Sequence, residues 1–359
     1  MSFYWNAFGP VNLGLDLAII FTFYALVFIH RRRWPASGLV AACRRGLIGA
    51  GLLWVLAGAF VGGIVGFSLI VRTFWTLFTV AIPLLLVFFA IRLKKAVLLL
   101  PALLLLVFKL YGEVYEPNNL EVQSASIVVK GLKSPIKLAH ISDLQTDDLR
   151  AMHLQAQRSV NDFAPDFIFF TGDLLNHPSI ESEIQAYLRG FKSHSGSFAV
   201  SGNIDIHLNL SKFYKDTGFT VLDGDFRKIK VDGNSVGVVG LGLENFADRS
   251  LLASLLEKLG RVDVTLLLSH VPDTMATAKG LPVTALFSGH THGGQMCPPW
   301  GGPILTLSGV SRKIAAGGIH QVEGLSVVVS RGLGMEGHVA PRVRTFCRPQ
   351  VLLLELKPR

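Results

Sequence analysis

The chain is 359 residues long and half hydrophobic, with mean hydropathy +0.46 and a formal charge of +9. That hydropathy exceeds what an ordinary soluble enzyme carries and points to membrane spans. The charge does not mark a nucleic-acid binder: residues 1–112 hold ten of the 34 Lys/Arg and one of the 25 Asp/Glu, leaving 24 of each, a net of zero, in the rest.

Four apolar runs come first, at 11–29, 46–70, 73–91 and 96–112. Each is near the ~17–25 residues that cross a hydrocarbon core as a helix, the form in which the backbone satisfies its own hydrogen bonds there. Pro83 is expected to kink the third. MSFYWNAFGP has no positive segment, so the first run does not read as a cleaved signal peptide. The cations HRRRW and CRR fall between spans one and two, and RLKK between spans three and four, whereas the connection at 71–72 is nearly bare. The positive-inside rule then places those basic loops in the cytoplasm, and the N-terminus with everything after residue 112 on the outer side. If span four, the shortest, only lies along the interface, that placement reverses. Asp16 lies near a span end, and the sequence offers no paired intramembrane charges of the kind that mark a transport pathway.

After the polar stretch YGEVYEPNNLE the pattern changes, so residues 1–112 are expected to form a membrane domain and 113–359 a second domain. Apolar strands (IKLAHISD, DFIFFTGD, SFAVSGN, VGVVGLGLEN, VTLLLSH, ALFSGH, LSVVVSRG, VLLLEL) alternate with helices near 148–163, 181–190 and 248–259. This alternation predicts an α/β core with both sheet faces covered. Cys43, Cys297 and Cys347 lack metal-type spacing; a Cys297–Cys347 disulfide needs an oxidising compartment, and spacing favours free buried thiols.

Asp143, Asp173, Asn203, His270 and His290 each follow closely on an apolar strand, at the carboxyl ends where α/β sheets form sites. One alone reads as a turn residue or helix cap; five together read as a metal constellation. In order, ISDLQ, TGDLLN, SGNID, LSH and SGHTHGGQ resemble the calcineurin-like metallophosphoesterase superfamily. SRGLGMEG and PRVRTFCRP extend the resemblance to its membrane-associated bacterial branch, over residues 134–357. The resemblance implies a four-layer α/β/β/α sandwich after about four transmembrane helices, in a bacterial inner or plasma membrane. It also implies two divalent ions. Asp143, Gln145, Asp173 and His292 would bind the first, and Asp173, Asn203, His270 and His290 the second, with Asp173 bridging. Carboxylate, amide and imidazole donors suit Mn²⁺, Fe, Zn²⁺ or Mg²⁺, and such a pair activates water for phosphoryl transfer.

Two departures bear on the chemistry. Gln145 stands where most members have histidine, which favours Mn²⁺ or Mg²⁺ and is similar to Mn-dependent ADP-ribose/CDP-alcohol pyrophosphatases. Ile204 stands where a Gly-Asn-His-Asp pattern would put the histidine that protonates the leaving group, with Asp205 to orient it. A missing general acid costs about 10²–10⁴ in rate for a poor leaving group, so a diphosphate or phosphodiester is expected over an alkyl monoester. His207 and His177 are the nearest substitutes in sequence, though a surface or core role suits either. Asp173, Asn203, Asp205 and His207 are thus the catalytic candidates. Arg331, Arg342 and Arg344 are candidate phosphate contacts or structural arginines. His320 and His338 match no ligand position. The expected activity is a membrane-anchored phosphohydrolase acting on a small or lipid-linked phosphate, with the bilayer as partner and no nucleic acid. A UDP-2,3-diacylglucosamine pyrophosphatase-like enzyme, if the domain is cytosolic, and a catalytically silent domain are the alternatives. The oligomeric state is not legible.

Overall fold

The computed structural model describes residues 10–306, 308–336 and 339–359; MSFYWNAFG and His338 therefore lie outside the described residues. The chain forms two compact units: one runs to Tyr115 and takes in Glu336–Arg342, and the other comprises Glu116–Met335 and Val343–Arg359.

The first unit is helical. α1 spans Pro10–Arg33, α2 Leu39–Val61, α3 Gly63–Thr76, α4 Ile82–Leu93 and α5 Leu99–Leu110. Among the described residues, four stretches are long and apolar enough to cross a membrane: Val11–Arg33, Leu39–Val61, Gly63–Leu93 and Ala96–Asn118. The boundaries expected at 46–70 and 73–91 are corrected by Gly62 and Gly63, whose φ of 69° and 57° glycine adopts at no steric cost, so apolarity continues there while the helix breaks. The bare connection is consequently at Gly62, and position 72 lies mid-helix. α3 and α4 are joined by a π-helical turn, Leu77–Ala81, in which Ile82 donates its N–H to Leu77 O, five residues back. This widened turn accommodates Pro83, which has no N–H to give.

Contrary to expectation, the helices hold a charge pair. Arg72 Nη1 lies 3.0 Å from both carboxylate oxygens of Asp16, which also accepts from Thr76 Oγ1 at 2.5 Å. Arg72 further donates to Val339 O at 2.5 Å and Ala340 O at 3.1 Å, within the segment that joins this unit. Saturated in this way, the pair reads as a clasp rather than a transport pathway.

The second unit contains two six-stranded sheets. The strands are β1 Glu121–Val129, β2 Ile136–Ile141, β3 Phe167–Phe170, β4 Gly196–Ala199, β5 Phe219–Val221, β6 Asp225–Val231, β7 Asn234–Leu241, β8 Val264–Ser269, β9 Ala285–Ser288, β10 Gly318–Val322, β11 Leu325–Val329 and β12 Gln350–Pro358. One sheet runs β1-β12-β2-β3-β4-β5, the other β10-β11-β9-β8-β7-β6. β2 to β5 pair in parallel, as do β7, β8, β9 and β11. Leu138, Phe167, Phe169, Leu266, Phe287 and Leu354 pack between the sheets. Helices Ala151–Phe163 and Glu181–Arg189 cover the outer face of the first sheet, through Met152, Val160 and Ile184. Helix Arg249–Leu259 covers the second through Leu252, Leu255 and Leu259. This is the expected α/β/β/α sandwich. Strands buried on both faces read as the continuous apolar runs FIFF and VTLLLS, which made them visible in sequence.

Candidate metal centre

The site is assembled on the turns that leave β2, β3, β4, β8 and β9. Four of its side chains sit on backbone in the left-handed region: Asp143 (φ 47°), Asp173 (62°), His290 (68°) and His292 (48°). Such conformations cost about 1–3 kcal/mol each in non-glycine residues and persist only where the surroundings over-determine them. Here they turn each side chain sharply off its strand end into one space. Glycines let the loops close: a Cβ on Gly202 would lie 2.2 Å from Asp173 Oδ1, and one on Gly289 2.1 Å from Asp143 Oδ2.

Two donor clusters result. Asp143, Asp173 and His292, all buried, offer ligand atoms within 4.8 Å of one another. Gln145 joins them, its Nε2 donating to Asp173 Oδ2 at 2.8 Å while its buried Oε1 has no hydrogen-bond partner. In the second cluster Asn203 Oδ1 is 3.0 Å from both His270 Nε2 and His290 Nδ1, these nitrogens are 3.2 Å apart, and Asp173 Oδ2 is 3.3 Å from His270 Nε2. Donors about 2.1 Å from one ion and at right angles are separated by about 3.0 Å, so these spacings are those of ligands sharing a cation. Asp173 is common to both clusters. The orphaned Gln145 oxygen and the carboxylate–amide–imidazole chemistry fit a divalent ion in each.

Electrostatics agree. Burial, followed by the charge of Asp173, pushes Asp143 up to about 7, against the opposing pull of His270. Burial would raise Asp173 too, but the charge and hydrogen bond of His270 hold it low. Burial would lower His270, yet Asp173 and then Asp143 hold it up at about 10. Burial drives His290 to about 4 and His292 to about 3, the charge of His270 adding to the first and that of Arg344 to the second. The neutral imidazoles of His290 and His292 present lone pairs, and a cation would take the place of the His270 proton among the crowded carboxylates. Behind the ligands, Thr171 O is 2.6 Å from His270 Nδ1 and fixes Nε2 toward the site. Asn176 Nδ2 donates to Gln145 O at 2.9 Å.

The remaining predicted residues lie elsewhere. Asp205 is buried, and its carboxylate accepts the backbone N–H groups of Asp173 (2.8 Å), Leu174 (2.9 Å) and Gly202 (2.8 Å), stapling two ligand loops together. Ile204 is half-buried beside the second cluster, and its N–H donates to Asp173 Oδ1 at 2.9 Å. His207 is exposed at the end of the one-turn segment Asp205–His207, and His177 is paired with Ser179. Arg344 is fully buried and donates to the carbonyls of Gly334, Arg331 and Cys347, so it binds backbone and not phosphate. Arg331 lies 2.8 Å from Glu121, and Arg342 donates to Glu336 O. The three cysteines are free and buried. Sequence reasoning missed Thr171 and Glu116, the latter buried and accepting Cys347 N–H at 2.8 Å; neither carries a local signal, because each acts through partners distant in the chain.

A family model described as calcineurin-like phosphoesterase matches residues 136–294. The metallophosphoesterase YkuE of Bacillus subtilis is 31% identical over 231 residues, 61% of this chain and 76% of that protein. The chain belongs to the calcineurin-like phosphoesterases. Among other relatives, metallophosphoesterase YkoQ of B. subtilis is 26% identical over 71% of this chain and 97% of its own length. UDP-2,3-diacylglucosamine pyrophosphatase LpxG of Chlamydia muridarum is 24% identical over 66% of this chain and 91% of its own. This calcineurin-like protein is a hydrolase acting on phosphoester bonds, in a family that uses divalent metals.

Proposed function

We propose that this phosphoesterase is a membrane-anchored, Mn²⁺-preferring two-metal enzyme that cleaves a diphosphate or phosphodiester bond in a lipid-linked substrate. The observation that carries the reading is the pair of donor clusters meeting at Asp173. Asp143, Gln145, Asp173 and His292 would hold one ion, and Asp173, Asn203, His270 and His290 the other. When bound, the ions supply Lewis acidity toward water and the phosphoryl oxygens. The chain's own residues do the rest. Thr171 sets the His270 tautomer, Asp205 fixes the spacing of the loops that bear Asp173 and Asn203, and the strained turns keep the donors from relaxing into hydrogen bonds with water.

Ile204 supports the substrate class. An isoleucine half-buried beside the second cluster brings no proton to a departing alkoxide, whereas a phosphate monoester leaves without one. The LpxG relatives, whose name describes a diphosphate with acyl chains, favour the same chemistry and, as a second reading, that substrate type on the cytoplasmic side. Orientation separates the two. The cations Arg31, Arg32, Arg33, Arg44, Arg45, Arg92, Lys94 and Lys95 flank the first and third turns between spans, which supports an outer-side hydrolase unit.

The test is turnover by the full chain in lipid nanodiscs with Mn²⁺, offering a diphosphate diester, a phosphodiester and a phosphomonoester side by side, with Asp173→Ala as control. Preferred diphosphate cleavage, lost in the variant, is expected. Absence of both bound metal and turnover would overturn the reading in favour of a silent domain.

A further inference from the structure

The hydrolase unit carries an apolar protrusion that the metal centre does not use. In the loop 298–306, Trp300 is 85% exposed, Ile304 61% and Leu305 65%. Among the described residues of this unit, the other exposed large hydrophobics (Val128, Leu154, Ile206 and Phe346) are scattered along the chain. Single exposed apolar residues are ordinary; three within six positions, one an indole, are not. Gly301 and Gly302, at φ of 85° and 75°, make the turn between Trp300 and the aliphatic pair.

The loop is braced. Pro303 is buried against Gly294, where an added Cβ would lie 2.2 Å from Pro303 Cβ. Cys297 N–H donates to Thr345 O at 2.9 Å, and Arg312 Nε donates to Pro303 O at 2.7 Å. On the far side Asp273 accepts the Gly309 N–H at 2.7 Å and the Ser308 hydroxyl. Gly294 lies two residues after His292, and Asp273 three after His270. The protrusion is therefore pinned to both histidine loops of the candidate centre. Exposed Arg312 and Lys313 lie six and seven residues beyond its end.

We propose that the loop 298–306 is a lipid-contacting element: Trp300, Ile304 and Leu305 enter the interfacial layer of an anionic bilayer, with Arg312 and Lys313 at its headgroups. Three observations select a lipid surface as the occupant. An indole beside aliphatic side chains, flanked by cations, has the amphipathic composition that partitions to the membrane interface. The two cations complement anionic headgroups, at about 1 kcal/mol each near the surface. The candidate span Ala96–Asn118 runs into the hydrolase unit, which begins at Glu116, so on the membrane-anchored reading no linker separates that unit from the end of the span. The inference rests on the membrane-anchored reading and not on the substrate, because it concerns what covers the loop and not what is hydrolysed.

The test uses the full chain in nanodiscs and compares tryptophan emission with that of Trp300→Phe, so that the difference spectrum belongs to Trp300. Brominated lipids are expected to quench this component in anionic discs, and aqueous acrylamide to leave it largely protected. Leu305→Glu should reverse that preference. Lys313→Glu should weaken the enhancement by anionic over zwitterionic lipid about fivefold. A Trp300 component quenched by acrylamide and untouched by bromolipid in both lipids would overturn the proposal. So would shielding from both quenchers, which would mean that protein, a second copy or another chain, covers the loop. Neither readout requires turnover, so failure here is distinguishable from failure of the hydrolase reading.

Discussion

At the scale of single residues, the most informative position is Ile204, which stands beside the candidate ligands where the family pattern would put a proton donor. Restoring a donor should widen the substrate range: Ile204→His is expected to raise kcat/KM for an alkyl phosphomonoester by about 10²-fold while changing diphosphate cleavage little, as competition assays on the two substrates would show. Equal effects on both would remove the leaving-group explanation. His140 supports a second prediction. It is fully buried, its Nε2 lies 2.9 Å from Thr171 Oγ1, and burial pushes its pKa down to about 3. The unfolded chain takes up that proton near 6.5, so the stability gained by keeping the ring neutral is complete above about 6.5 and drains as pH falls toward 3. Thermal unfolding of metal-free His140→Asn should lose less stability than the parent between pH 6.5 and 4. Parallel profiles would show that His140 does not set the slope.

Among elements, the metal centre depends on how strand-end loops are held to one another. With Ile204 in place of the histidine that Asp205 would orient, the Asp205 carboxylate receives three backbone amides from the loops after β3 and β4. Truncation strands those donors at about 1–3 kcal/mol each. Asp205→Ala should therefore lower stability by at least about 3 kcal/mol in denaturant unfolding and weaken metal binding with it, whereas Asp205→Asn, which keeps an acceptor, should retain part of both. Intact stability with lost activity would return Asp205 to a directly chemical role. The loops themselves were legible as motifs, ISD, TGD, SGN, LSH and GHTHGG, because each places a donor right after an apolar run. That Asp143, Asp173, His290 and His292 stand on left-handed backbone was not legible, because tertiary packing and not residue type holds them there.

For the whole molecule, the helical unit is joined by the segment Glu336–Arg342, far along the chain, through Arg72. Removing one member of a fully buried pair leaves the other uncompensated at about 3–5 kcal/mol; Asp16 keeps a quarter of its side chain exposed, so about half of that is expected here. Arg72→Met should accordingly destabilise the detergent-solubilised chain by that order, and Arg72→Met with Asp16→Asn should recover much of it in thermal unfolding. A double variant no better than the single would assign the effect to the lost carbonyl contacts alone.

The hydrophobic pattern by itself determined four apolar runs of membrane-crossing length and an α/β core with both sheet faces covered, because burial from water imposes its period directly on the residues. It also singled out Asp143, Asp173, Asn203, His270 and His290 as a candidate constellation at strand ends, while Gln145 and His292 entered through the family resemblance. Tertiary structure alone decided the rest. Helix ends fell at Gly62 and not at 71–72, because a pair of glycines breaks a helix within unbroken apolarity. Arg344 became a clasp for carbonyls and Asp205 a staple for amides, because a polar group's role is set by the partner that burial leaves it. Those partners lie tens to hundreds of residues away, where no local reading of the chain reaches.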